Sequence, residues 1–235
     1  MPLSIESPVI DANEAHKFEA HYSSKQRFRI PGFLAPSSAT RIATVVKEIR
    51  DYELVFFAGN ENKAVRESEL RKHSDETRGN LQAQIFQNAA NGVGFLYGRH
   101  PIIEGEKQAP LLEFKQWLNS PQTIDWVRTV TGHHDISHAD ANVTRFARGE
   151  FLTRHNDVAP NETRRVAFVM NLSEQWHADW GGLLQFFESD GTSVESYTPT
   201  FNSLSLFDVS RPHSVTCVAP FSPALRLSIS GWFRA

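Results

Sequence analysis

The sequence predicts a mainly β fold with flanking helices, its core a jelly roll (a double-stranded β-helix) of two facing sheets. Three observations carry this. From Asn142 onward the chain falls into short β-rich runs, "NVTRFAR", "RRVAFVMNL", "GLLQFFE", "SVESYT", "NSLSLFDV", "HSVTCVA" and "LRLSISGWF", separated by Gly, Pro, Asn, Asp or Ser. Many short strands at intervals of roughly 8–12 residues mark an antiparallel sandwich or barrel. Before Asn142 the texture is mixed, with helical and strand-like stretches in alternation. Finally, 17 Phe and 5 Trp against 2 Met suit a rigid aromatic core. The expected organisation is a single domain, with a mixed part over residues 1–140 packed on a core over residues 141–235.

Taken in order, "QRFRIPGFL" alternates and turns at Pro31-Gly32, as an opening strand does. "APSSATRIATVVKEIRDYE" places Ile42, Val45, Val46 and Ile49 at helical spacing behind a Pro-Ser-Ser start, which predicts an amphipathic helix. "LVFFAG" reads as a strand. "NENKAVRESELRKHSDETRGN" has many charges and no sustained apolar face, and reads as a solvated loop with one exposed helical turn. A mobile flap over a site is the alternative for this segment. "LQAQIF" and "GVGFLYG" read as a strand pair around "QNAANG". Two helices follow: Pro110 opens "PLLEFKQWL", and Ser120-Pro121 supplies an N-cap and first position for "QTIDWVRTVTG", closed by Gly132.

The formal charge of −3 creates no field suited to nucleic acid or an anionic membrane. Cys217 is the only cysteine, so no internal disulfide forms and nothing calls for an oxidising compartment. The opening "MPLSIESPVIDANEAHKF" lacks the basic and apolar regions of a secretory leader, and no apolar run approaches membrane-spanning length. A cytoplasmic protein is expected. No Gly-rich phosphate cradle and no GxSxG elbow is present, so nucleotide-dependent and serine-hydrolase chemistries have no foothold.

The chemistry-bearing stretch is "RHNDVAP". Side chains on a strand repeat their direction every second residue, so His155 and Asp157 can face the same way. Two imidazoles and a carboxylate on one face of an octahedral metal leave three positions open, the arrangement of non-haem Fe(II) oxygenases. His-x-Asp alone is a weak signal, and a polar turn with Asp157 capping a backbone N–H is its bland reading. The second imidazole must come from afar. His213 heads "HSVTCVA", a strand that a jelly roll can return beside the one carrying His155. Arg226 and Ser228 then stand two apart on the last strand, where a planar guanidinium and a hydroxyl would suit a carboxylate. The apolar flanks Leu225, Leu227 and Ile229 weigh against a surface arginine.

The ordered run "RFARGEFLTRHND…RRVAFVMNL…WGGLLQFF…NSLSLFDVSRPHSV…RLSISGWF" resembles the 2-oxoglutarate and Fe(II)-dependent dioxygenases, in their prolyl-hydroxylase-like branch, over about residues 142–233. The resemblance implies that His155, Asp157 and His213 are the iron ligands and catalytic centre. It implies that Arg226 grips the distal carboxylate of 2-oxoglutarate with Ser228 assisting, and that Gly181-Gly182 turns into a strand beside the site. Implied cofactors are Fe(II), 2-oxoglutarate and O2, with ascorbate as an optional addition. The sequence departs from the family at Phe146, Leu152 and Asn171, positions where members place tyrosines. Asn142 has two open readings, contact with the cosubstrate and a buried structural hydrogen bond.

The expected activity is hydroxylation of a prolyl or similar residue in a protein or peptide, with release of succinate and CO2. A free amino acid or small metabolite is the alternative substrate, and a non-catalytic metal-binding jelly roll the reading from another class. Elsewhere, "GHHDISHAD" follows a helix end and reads as a polar loop rather than a second metal site. Trp176 and Trp180 read as packing or a substrate wall, and His177 as exposed. Arg145, Arg148, Arg154, Arg164 and Arg165 read as a solvated rim, and Cys217 as a small core residue.

Overall fold

The computed structural model describes residues 5–7 and 12–235. The stretch read above as lacking a secretory leader lies partly outside the described residues. No described helix is long and apolar enough to cross a membrane.

The amino-terminal part runs α1 (Ala12–Lys25), β1 (Arg27–Pro31), α2 (Pro36–Glu48), β2 (Glu53–Ala58), β3 (Glu61–Arg66), α3 (Glu67–Leu70), α4 (Asp75–Ala90), β4 (Phe95–Pro101), α5 (Ala109–Leu118) and α6 (Pro121–Thr131). Then come β5 (His138–Ala139), β6 (Asn142–Phe146), β7 (Phe151–His155), β8 (Arg164–Asn171), β9 (Leu184–Phe187), β10 (Ser193–Tyr197), β11 (Ser203–Asp208), β12 (His213–Val215) and β13 (Arg226–Arg234). The strands pair in the order β1-β11-β8-β13-β6-β4-β7-β12-β9-β10. This is the expected double-sheet jelly roll: β11, β8, β13 and β6 form one wall, and β7, β12, β9 and β10 face it.

Strand β4 joins the two walls. Its Gly98–Pro101 half pairs antiparallel with β6, and Phe95 and Leu96 pair with Leu152 and Phe151 of β7. On the opposite side, Arg27 of β1 reaches Glu195 of β10 at 2.7 Å, linking the outer strands of the two walls.

Period-two alternation divides each strand between two environments. Val166, Phe168 and Met170 of β8, Leu204 and Leu206 of β11, and Leu227, Ile229 and Phe233 of β13 pack in one cluster with Ile42, Val46, Phe114, Trp126 and Val130 of the helices. The intervening residues face the other wall. Ala167, Val169, Leu184, Phe186, Tyr197 and Phe207 fill that interior at one end, and Phe146, Val215 and Val218 close it near β7. Helices α1, α2, α5 and α6 therefore buttress the outside of one wall and leave the interior free to hold a site.

Helices α2, α5 and α6 lie where the sequence places them. The Ser120 hydroxyl accepts the Thr123 N–H at 3.3 Å, and Gly132 ends α6 in the left-handed region at φ 73°. Other expectations need correction. "LQAQIF" is helix, not strand. It satisfies both periodicities, and the helix propensity of Leu, Ala and Gln, with Ser74 capping the Thr77 N–H, decides the outcome. Ile85 then packs under Phe56 and Phe151. The charged segment before it is a hairpin strand, β3, followed by α3 and the start of α4. Its charges are exposed because β3 is an edge strand. Helix α1 has no counterpart in the sequence expectations. Cys217 lies beyond the end of β12 and is exposed rather than in the core.

Arg145 also departs from its expected place. It is buried on the face of β6 away from the interior, with its guanidinium 2.6 Å from Glu67 of α3 and 2.8 Å from Glu150. It stacks over Tyr52 as well. This triad ties the charged segment to the core. Removing the shared partner of a buried ion-pair triad strands both acids, so Arg145→Met should cost about 3–5 kcal/mol of stability. The check is a urea titration, in which the midpoint falls at an unchanged slope.

Candidate metal centre and active site

His155 is the last residue of β7 and His213 the first of β12. In this antiparallel pair they are direct register partners, with ring centroids 4.3 Å apart. Asp157 lies past the end of β7, so the strand pleat does not aim it. Instead its N–H donates to the Val209 carbonyl at 2.9 Å, which turns the chain back toward the pair. Asp157 Oδ1 is 3.4 Å from His155 Nε2, and Oδ2 is 3.7 Å from His213 Nε2. One ligand atom from each residue falls within 4.8 Å of the others.

The backbone sets the tautomers. His155 Nδ1 lies 2.9 Å from the Thr153 carbonyl and His213 Nδ1 lies 2.9 Å from the Arg211 carbonyl. A carbonyl only accepts, so each Nδ1 carries the proton and each Nε2 is directed at the Asp157 carboxylate with its lone pair available to a cation. Burial alone would raise the Asp157 pKa, but the close approach of the His155 and His213 imidazoles outweighs it and holds the group at about 2. Burial pushes His213 down to about 4, with His155 adding to the effect. At neutral pH this is an anionic oxygen donor beside a neutral imidazole. Burial also opposes charge on His155, but the Asp157 carboxylate raises its pKa overall. A bound cation would take the place of that proton.

These residues share a cavity of about 490 Å3 with Arg226 and Ser228 of β13. Arg226 is 2% exposed. Its guanidinium lies over the Phe146 ring and reaches Ser228 Oγ only at 3.5 Å, and its Nε has no partner. Burial lowers its pKa to about 10, which leaves it charged at neutral pH. A buried cation with unfilled donors is costly, and an anion entering the cavity would relieve that cost. Gly182, at φ +64°, makes room for it: a Cβ there would sit 3.0 Å from Arg226 Cδ. At the adjoining Gly181 a Cβ would fall 2.0 Å from the Cys217 carbonyl oxygen. Gly182 thus leaves room for the arginine, and Gly181 for the backbone at Cys217.

Of the sequence candidates, His155, Asp157, His213, Arg226 and Ser228 come together in one cavity. Asn142 is not among its lining residues. Thr144, two positions along β6, is, and shares a 2.7 Å hydrogen bond with Ser228 Oγ. Phe146 and Leu152 line the cavity as apolar wall. Asn171 does not, and its Nδ2 donates to Ser203 Oγ at 3.2 Å. Sequence reasoning missed Tyr97, which stacks on Phe146 at 5.1 Å and brings a phenol to the cavity from β4. The alternation of "FLYG" could have placed Tyr97 on one face with Phe95, but β4 lies outside the stretch with family-like motifs. It also missed Trp232, on the wall near Asp157 beneath the Arg164 guanidinium at 3.8 Å. Among the described residues the "GHHDISHAD" histidines form no metal-binding group. His133 pairs with Asp208 at 2.9 Å.

Residues 141–234 match the sequence model of the 2OG-Fe(II) oxygenase superfamily. That match takes in the β-rich core and less than half of the chain. Over 136 residues the chain is 33% identical to prolyl 3,4-dihydroxylase OGFOD1 of Ostreococcus tauri, a match covering 53% of this chain and 26% of that protein. To mouse prolyl 3-hydroxylase OGFOD1 it is 30% identical over 142 residues, covering 57% of this chain and 24% of that protein. The matches thus span about a quarter of the length of these relatives. Among solved structures, a Pseudomonas putida prolyl-4-hydroxylase aligns with TM-score 0.62 at 17% identity, over 94% of this chain and 98% of that one. A Trichoplax adhaerens prolyl hydroxylase, solved with a hypoxia inducible factor oxygen degradation domain peptide, aligns with TM-score 0.63 at 19% identity, over 95% and 93%. These structural likenesses establish the jelly-roll fold.

The 2OG-Fe(II) oxygenase superfamily takes its name from the two groups this cavity would need to hold. The donor set fits the metal: two imidazole Nε2 atoms and a carboxylate converge without other ligands between them. The orphaned guanidinium fits the dicarboxylate. Wild-type protein should take up one Mn(II), a non-oxidising stand-in for Fe(II), per chain in anaerobic calorimetry. Asp157→Ala and His213→Ala should each weaken that uptake at least about tenfold.

Proposed function

We propose that the protein is an Fe(II)- and 2-oxoglutarate-dependent hydroxylase acting on prolyl residues of proteins or peptides. The carrying observation is the unpaired, buried Arg226 guanidinium in the same cavity as two free imidazole nitrogens and a carboxylate. A structural arginine would have found an acid, as Arg145 does with Glu67 and Glu150.

In this reading His155, Asp157 and His213 hold the iron. Arg226 pairs with the far carboxylate of 2-oxoglutarate, and the linked hydroxyls of Thr144 and Ser228 offer further hydrogen bonds. Iron and cosubstrate, when bound, supply oxygen activation coupled to release of succinate and CO2. The chain's own work is to hold, orient and keep dry. Phe146, Leu152 and Val215 close the inner end against water, with Tyr97 packed on Phe146. The backbone bonds that fix both imidazole protons on Nδ1 hold the ligand geometry through turnover. The prolyl assignment is supported by the names of the OGFOD1 relatives.

Anaerobically purified protein given Fe(II), 2-oxoglutarate and then air should release succinate. His155→Ala and Asp157→Ala should abolish the release. Arg226→Met should raise the 2-oxoglutarate requirement by at least about thirtyfold, since truncating one partner of a buried charge pair costs roughly 2–5 kcal/mol. Mass spectrometry of the native proteome with and without the enzyme should reveal proline heavier by one oxygen atom. Absence of succinate from metal-loaded protein would end this reading.

A further inference from the structure

A second groove adjoins the active-site mouth, and we propose that it holds the flanking chain of a polypeptide substrate. The proposal rests on the hydroxylase reading above and deepens it, because it places the chain that flanks the target proline and names the kind of side chain that chain must carry.

The groove, of about 590 Å3, runs between α4 and the side of β7 and β12 away from the metal residues. Leu152, Thr153, Arg154 and Val215 line both it and the active-site cavity. The paired strands β7 and β12 therefore form the partition, and a chain leaving the metal residues need only cross β7 near its end to enter the groove. The junction is held firmly. The Gly94 N–H donates to Thr153 Oγ1 at 3.0 Å and the Thr153 N–H to the Gly94 carbonyl at 2.9 Å, clamping the α4–β4 turn against β7.

The surface along this route is apolar. Val93, on the cavity rim, is 55% exposed, and Phe86, in the groove, is 42% exposed. Phe86 stands 6.1 Å from Phe151, and Ala89, Ala90 and Phe187 continue the lining. Large apolar side chains left open in one line beside a catalytic mouth mark a surface that is covered during function. Arg154 stands exposed at the crossing with its guanidinium over Phe187, where its N–H groups meet the carbonyl oxygens of an extended chain. A metabolite lodged beside the metal would need none of this. The occupant is an extended polypeptide that carries an apolar side chain a few residues from the target proline, seated against Phe86, Phe151 and Phe187.

The test uses the full chain with Fe(II), 2-oxoglutarate and ascorbate, and a synthetic library of long peptides with randomised residues around a central proline. Hydroxylated members are sequenced by mass spectrometry, and succinate release without peptide is measured in parallel. Wild-type products should be enriched in an apolar residue at a fixed distance on one side of proline. Trimming such a peptide to its central tripeptide should lower kcat/KM by about tenfold or more, the worth of one buried apolar side chain. Phe86→Asp should erase the enrichment while leaving peptide-independent succinate release within twofold. Ala90→Arg, on the exposed wall of the same groove, serves as the second variant if Phe86→Asp lowers the melting temperature. Equal reaction of trimmed and long peptides, an enrichment that both variants retain, or hydroxylation of free amino acids alone would overturn the groove while leaving the hydroxylase standing. Absence of succinate from every sample would remove both.

Discussion

The antiparallel pairing of β7 with β12 is the constraint on which the site depends. Nothing local in the sequence attracts His155 to His213. They meet because the barrel ladder makes them register partners, one at the end of a strand and the other at the start of its neighbour. A strand ladder fixes position to a fraction of a residue, since a slip of one would turn each side chain to the opposite face. The two imidazoles therefore inherit their precision from the hydrogen bonds of the wall and from the Thr153 and Arg211 carbonyls, with Phe207 packed edge-on against His213. Asp157 is the exception, seated beyond the strand by its bond to Val209.

The same wall explains how a buried arginine is tolerated. Arg226 and Ser228 sit on the interior face of β13, while Leu227 and Ile229 face the helices. Alternation thus delivers a charged group and a hydroxyl to the cavity from a strand whose other face anchors the core. Desolvation of the guanidinium is sustained by the stability of that anchored face, and the ring of Phe146 offsets part of it. The contrast with Arg145 is instructive. Both arginines are buried and belong to paired strands. Arg145 pairs with two carboxylates and serves the fold, while Arg226 has no carboxylate beside it and faces a cavity.

Much of this was legible in the chain. The short alternating runs after Asn142 announced two sheets, and the His-x-Asp, distal His and Arg-x-Ser order picked out residues that converge in one cavity. The structure also explains what could not be read. "LQAQIF" fits both a strand and a helix period, and the packing of Ile85 under Phe56 and Phe151 is settled by tertiary contacts. The charged segment looked free because its partner, Arg145, lies 78 residues further along. Tyr97 was invisible because its role follows from β4 crossing between walls, and no motif within "FLYG" states where that strand will pair. Of the two readings left open for Asn142, contact with the cosubstrate gains no support, since Thr144, two positions along β6, lines the cavity and Asn142 does not.

That crossing by β4 bears on where this molecule can be divided. The segment resembling the oxygenases begins at residue 141, yet the strand that seals β6 to β7 comes from well before it. Excising the apparent core would leave two raw strand margins with open N–H and C=O groups, the template on which sheets stick to one another. A cut at the family boundary would therefore yield aggregation-prone material. The functional unit extends upstream at least to Phe95, whatever the sequence motifs suggest.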